Sequence, residues 1–515
     1  MTGSLSCLLL AALPAQLPDA APSSFTPPSL SAEATRSAMN GPLPPTDDLT
    51  ADALAEYETA LTAHYGGTRE VPLAVKAAFY DWVIRRHHLE QFAPTPDGAP
   101  VGIVHQTAFL PAKPGERGEF NAGPDTLTWN GALLAAMSYR WAISRDPAAL
   151  EWVRTLLGGL ELGMKVTGQP GLPARCYTQA ARSNGELSLR YEQENGRTIW
   201  ARSDAAKGTV NQIAGGLIVC QLLCGDDLGP KDRNRAAQMS LDMADHLVRH
   251  DYHLTERTGK RTEYGDLTPR IGPQSIPFNA QVAYLVVAGG AGLGVHAENA
   301  DPAAVNRVMK AFEELRVKHH VYYEAPTQVV RPQRIGASLL LKGMNDRHHS
   351  MTAGYTALLL EWELARRANA AADGRFLYEM GRTPLYAMRG VRGERNSLLA
   401  FLWGGLLMDG RRAAAILPDP QEQIAEFDAA RREIEAGVEH LHRFPLSRRS
   451  VVGEMKSSRE DVWIAEQRPW DCYVWKADPN EVFVPTGPPM NKWAAGIDFL
   501  HAYWVARYWS LPGVQ

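Results

Sequence analysis

Residues 345–350 read Asn-Asp-Arg-His-His-Ser, and the helix-patterned stretch MTAGYTALLLEWELARR follows at once. Asp346, Arg347, His348 and His349 set an acid, a guanidinium and two imidazoles in consecutive positions. Imidazole changes charge near neutral pH, so one of these histidines facing a cleft would act as a general base or a substrate ligand. The plainer reading makes Asp346 a helix N-cap and the histidines first-turn residues bonded to their neighbours. A metal site has the least support, because adjacent histidines seldom ligate one ion and no HExxH pattern occurs. The pairs His87-His88 and His319-His320 fall on helices of the charged, outer kind and read as surface or structural residues.

Paired carboxylates are the second route to chemistry. Hydrolysis of a glycosidic bond takes two, roughly 5–10 Å apart. Asp125, Asp204, Glu263, Asp266 and Glu394 are the candidates, each with a plainer role as a cap, an ion pair or a loop-fixing group. The stretch EYGDLTP crowds Glu263, Tyr264 and Asp266 into one turn, whereas Glu394 stands between Arg392 and Arg395 and reads as ion-paired. A lyase would need a His or Tyr base and a group that neutralises a uronate carboxylate; His348, His349, Tyr264 and Arg347 are of those types. Tryptophans at Trp129, Trp200, Trp470 and Trp493 offer faces on which sugars stack. The candidate catalytic residues are therefore Asp204, Glu263, Asp266, His348 and His349. The candidate substrate-binding residues are Asp125, Trp129, Trp200, Tyr264, Arg347, Trp470 and Trp493. No metal ligand set and no cofactor is assigned. The chain has no GxSxG elbow, no P-loop, no dinucleotide fingerprint followed by an acid and no DDxxD.

Composition narrows the class. The 515 residues are 45% hydrophobic and 21% charged, which suits a globular chain with a large core. The net charge of -4 and the lack of a basic block argue against nucleic acid as a partner. Of the five cysteines, Cys220 and Cys224 share a helix face and read as core residues, and no CxxC pair occurs. A pairing of Cys176 with Cys472 is left open. Residues 1–20 carry a short apolar run with a small-residue end, as in a secretory signal, and 21–50 are a Pro/Ser/Ala-rich linker. Export to the periplasm or beyond the cell is expected. No membrane span is expected, since no stretch is read as about 18–20 apolar residues long.

The elements that must carry these side chains are helical. Periodicity predicts helices at 48–65, 71–90, 127–144, 147–166, 208–224, 231–250, 278–290, 302–319, 349–368, 372–388, 396–408, 421–441 and 492–508. From residue 71 they alternate between an amphipathic kind and a kind apolar almost all round, six times over. That order predicts one all-α domain over 51–515, an (α/α)6 toroid of six inner and six outer helices. The long polar loops before the inner helices would then gather the candidate residues at one end.

The alternation over residues 70–509 resembles the (α/α)6 toroids of carbohydrate-active proteins, both glycoside hydrolases and polysaccharide lyases. WARSDAAKGTVNQIAGG, TEYGDLTP, RHHSMTAGYTALLLEWE, GERNSLLAFLWG and FLHAYWVARYW are similar, more narrowly, to stretches of secreted bacterial proteins of unassigned activity. The resemblance implies a secreted carbohydrate-processing protein, with hydrolysis ahead of lyase chemistry and a non-catalytic glycan-binding or structural toroid as the alternative. Such relatives are expected to carry more acids after the position of Asp204; this chain has Ala205-Ala206-Lys207-Gly208-Thr209. A metal- or sugar-binding role that those acids have in such relatives is not expected to carry over to this chain. Oligomeric state is not legible in the sequence.

Overall fold

The structure is a computed structural model. It describes residues 50–113, 116, 118–180, 187–193, 195–271, 274–275, 277–318, 343–457, 473–477 and 481–514. The leader, all of the linker but Thr50, the pair His319-His320, Trp470 and Cys472 lie outside the described residues, and Asp346 is described in its backbone alone.

The helices form where the apolar pattern and the capping residues agree. They are α1 (Ala51–His64), α2 (Leu73–Val83), α3 (Thr126–Ser144), α4 (Pro147–Lys165), α5 (Lys207–Leu223), α6 (Pro230–Arg249) and α7 (Pro277–Gly292). They continue with α8 (Pro302–Glu313), α9 (Gly343–Arg367), α10 (Gly374–Val391), α11 (Ser397–Met408), α12 (Gly410–Ile416), α13 (Pro420–His442) and α14 (Ile497–Tyr508). Asp146, Asp301 and Asp419 each cap a helix whose first residue is proline, because the side-chain oxygen takes up a free backbone N–H and proline has none to waste.

Six of these helices close a ring in the order α3, α5, α7, α9, α11, α14, with α14 returning to pack on α3. Around them, α4 packs on α3, α6 on α7, α10 on α9, α13 on α11 and α2 on α14. The ring helices meet at glycines. A Cβ on Gly131 of α3 would sit 2.4 Å from the Gln212 carbonyl of α5, and one on Gly216 of α5 would sit 2.3 Å from the Gly131 carbonyl. The two backbones are in contact there, which no other residue permits.

The expected all-α (α/α)6 class is corrected by the segments between the helices. The chain is mixed, about 59% helix and 14% strand, with small antiparallel sheets. Strands β1 (Leu89–Phe92) and β2 (Val101–Val104) pair with each other. Strands β5 (Cys176–Thr178), β6 (Leu189–Glu192) and β7 (Thr198–Arg202) form a sheet ordered β5-β7-β6. Strands β8 (His253–Thr255) and β9 (Arg261–Asp266) make a hairpin, and β10 (Arg270–Ile271) pairs with β11 (Gln274–Ser275). The largest sheet, ordered β12-β13-β3-β4, joins β3 (Thr107–Phe109) and β4 (Glu119–Asn121) to β12 (Arg449–Ser457) and β13 (Glu481–Ala494). Sequence reading takes these segments for loops, or at 89–90 and 492–494 for helix, because most of the strands are two to six residues long, too short for alternation to show. The 14-residue β13 carries Pro485, Pro488 and Pro489, which sequence reading takes for breakers.

Two helix starts also differ from expectation. α9 opens at Gly343, so His348 and His349 lie within a helix rather than at its entrance. The last helix opens at Ile497, and residues 492–494 belong to β13. One stretch, Phe278–His296, is long and apolar enough to cross a membrane by length and composition, contrary to the sequence reading; 89% of it is buried within the fold, as a core helix requires. Cys220 and Cys224 are buried and free.

Candidate functional site

The candidate residues are positioned by the N-terminal ends of α3 and α5 and by the strands that precede α5. Asp125 is the residue before α3, yet its side chain caps no backbone N–H. Its carboxylate turns to two cations: Lys476 Nζ donates to Oδ2 at 2.6 Å, and Arg175 Nη2 donates to Oδ1 at 3.3 Å. Burial pushes the Asp125 carboxyl up, but Lys476 and Arg175 outweigh it and hold it below the usual carboxylate range.

Asp204 follows β7 and adopts a φ of +40°, a left-handed conformation that is uncommon outside glycine and is met at functional sites. Its Oδ2 lies 3.8 Å from Arg175 Nη1 and 3.9 Å from Arg202 Nη2. Its Oδ1 accepts the Glu263 N–H at 2.9 Å, and its own N–H points to Glu256. A single guanidinium, that of Arg175, thus meets Asp125 with one nitrogen and Asp204 with the other. Two carboxylates so held lie no more than about 10 Å apart, which is the outer limit for paired acids acting on a glycosidic bond. Both remain about a quarter exposed.

Above this pair stands the β8–β9 hairpin. Glu263, Tyr264 and Asp266 are exposed on it, with half of Tyr264 open to solvent. Glu263 hydrogen-bonds the Tyr264 phenol and raises its pKa, and the phenol also feels the charges of Arg175 and Asp204. Asp266 lies on the same strand but engages Thr268 N–H at 2.8 Å and faces His253 at 3.7 Å. Burial raises its pKa, yet the Thr268 bonds win and hold it low. Trp200 on β7 pairs with Thr178, is half-buried and lies under Arg190 at 6.0 Å.

Below the pair is a buried layer. Trp129 and Tyr473 stack at 4.1 Å, nearly parallel, and Lys476 Nζ sits 4.9 Å from the centre of the Trp129 ring. Tyr473 Oη bonds His501 Nδ1 at 2.7 Å. His348 edges onto both Tyr473 and Trp129. His348 and His349 are 0% and 3% exposed, so neither meets a large substrate. The Gln212 amide donates to His348 Nε2 at 3.1 Å, and the Asn211 amide to His349 Nδ1 at 3.2 Å, joining α5 to α9. Burial, with Lys476 adding to it, lowers His349 to about 3; burial and the neighbouring His349 lower His348 further. Both are neutral at physiological pH and act here as packing and hydrogen-bonding groups.

Arg347 and Trp493 stand elsewhere. Arg347 donates to the Gly390 carbonyl and to Glu394 at 3.1 Å, tying α9 to the end of α10. Trp493 is 1% exposed and bonds Glu58 at 3.2 Å beneath Arg449, where β13 meets α1. The structure therefore brings together Asp125, Asp204, Glu263, Tyr264 and Trp129, and separates Trp493 and Arg347 from them.

Sequence reasoning missed Arg175, Lys476 and Tyr473. Arg175 lies in a long polar connection with nothing to mark it. Lys476 and Tyr473 flank Trp475 in CYVWKA, a tryptophan-bearing loop whose neighbours give the only hint. Among the described residues no cluster of three His, Cys, Asp or Glu side chains is placed to hold a metal ion. Compared with protein-family models, with curated proteins and with solved structures, the chain finds no match.

Proposed function

We propose that this protein processes carbohydrate, by hydrolysis of a glycosidic bond at the end of the helical ring where Asp125 and Asp204 meet. The observation that carries this reading is the sharing of one guanidinium by two partly open carboxylates, which keeps the pair inside the outer limit of the spacing such chemistry uses. Asp125, held ionised by Lys476, fits the base or nucleophile. Asp204 fits the second member, and the exposed Tyr264 beside it fits a stacking platform for a sugar ring. The short apolar run within residues 1–20 supports the periplasm or the outside of the cell as the place of this work.

A second reading is non-catalytic glycan binding by the same surface. It is favoured by the ion pairs that Arg175, Arg202 and Lys476 make with both acids, since a working acid must exchange such a partner for substrate.

The test is a panel of polysaccharides and aryl glycosides incubated with the full-length protein and with Asp125→Asn and Asp204→Asn. Reducing ends and the ultraviolet absorbance of unsaturated uronates are both read. Hydrolysis predicts reducing ends without unsaturation, and a loss of at least about 100-fold in either variant. Unsaturated products would replace hydrolysis by lyase chemistry. Binding without products, in folded protein, would establish the second reading.

A further inference from the structure

Arg175 is tied to both halves of the pair by its main chain as well as its side chain. Its N–H donates to the carbonyl of Arg202, two residues before Asp204, at 2.8 Å. Its carbonyl accepts the N–H of Leu127, two residues after Asp125, at 3.0 Å. The guanidinium then spends its donors on the same two segments: Nε on the Pro124 carbonyl at 3.0 Å, Nη2 on Asp125 and Nη1 toward Asp204. The side chain is only 12% exposed, so it has little freedom to swing away. Lysine offers a point charge and cannot hold three acceptors in one plane.

We propose that Arg175 is the positioning residue of the site: it sets the separation and mutual orientation of Asp125 and Asp204. The proposal rests on the reading of those two acids as the reaction centre. It goes further in giving the spacing of the pair to one residue that touches no scissile bond. Lys476 and Arg202 each hold a single member and set no distance between them.

The test compares the full-length protein with Arg175→Met and Arg175→Lys. Crystal structures of the three give the separation of the two carboxylates directly, whether or not a substrate is known. The separation is expected to change by about 1 Å or more in both variants, a displacement that costs on the order of 100-fold in rate. On any glycoside the wild type cleaves, kcat should fall by that factor with KM little changed, and low millimolar guanidinium should restore part of it in Arg175→Met. An unchanged separation in Arg175→Met, or full activity in Arg175→Lys, overturns the proposal. If the wild type cleaves nothing, the hydrolytic reading fails, and the measured separations still decide what Arg175 does. Should Arg175→Met not fold, the Arg175→Lys structure decides by the same criterion.

Discussion

The residues that looked most chemical in the sequence, His348 and His349, are the least available. Their burial makes them neutral, and the same is true of His501, which burial lowers to about 3. This has a consequence for stability. In the unfolded chain each imidazole takes a proton near its ordinary 6.5, while in the fold those of His349 and His501 stay neutral down to about 3. The unfolded state therefore binds more protons as pH falls. The contribution is whole above pH 6.5 and is lost as pH drops from there toward 3. Thermal unfolding from pH 8 to pH 4.5 should show a midpoint that falls below pH 6.5. His349→Gln should flatten that fall, by on the order of 1 kcal/mol per pH unit. A slope equal to the wild type's would mean that His349 titrates normally in the fold.

At the scale of elements, α3 and α5 meet backbone to backbone through Gly131 and Gly216. A methyl group at Gly131 meets the Gln212 carbonyl, which is main chain and cannot turn aside. Gly131→Ala should cost about 1–3 kcal/mol, read as a lower urea midpoint, because the helices must part. The same shift moves the α5 end that Lys207 and Asp204 flank, so substrate turnover should fall with it. Gly374→Ala, where nothing stands within 4 Å of the added carbon and no cap is lost, is the control and should lower neither. The strands show the converse: β5 and β7 are short, yet their register, Cys176 opposite Arg202, helps carry Arg175 to the carboxylates.

For the whole molecule, closure depends on the C-terminal helix. α14 packs on α3 and α2, and its Asp498 forms a fully buried pair with Arg448 at 2.8 Å. Asp498 also accepts the Val474 N–H, and its carbonyl accepts the Trp475 indole, so one residue holds the segment bearing Tyr473 and Lys476. Burial raises the Asp498 pKa while Arg448 opposes it. Arg448→Met would strand this carboxylate and should lower stability by about 3–5 kcal/mol in denaturant unfolding. Arg448→Met combined with Asp498→Leu should regain only part of that loss, since no unpaired charge is left but the Val474 N–H loses its acceptor. If the double variant is as unstable as the single one, the pair contributes more than mutual neutralisation.

The sequence by itself determined the helices. Apolar period, aspartate caps and first-turn prolines are local, and each of the thirteen stretches read from them holds a helix, with ends shifted by up to seven residues, while the short α12 was not read. It also gave Asp125, Asp204 and Tyr264 as candidates, since acids and aromatics before apolar helices are visible one segment at a time. The class was not determined that way. Strands of two to six residues earn their stability from partners far along the chain, so all-α became mixed. The meeting of Asp125 with Asp204 through Arg175, 50 residues from the one and 29 from the other by sequence number, was decided by tertiary structure alone. A shared guanidinium is a relation among three distant segments, and no single segment records it.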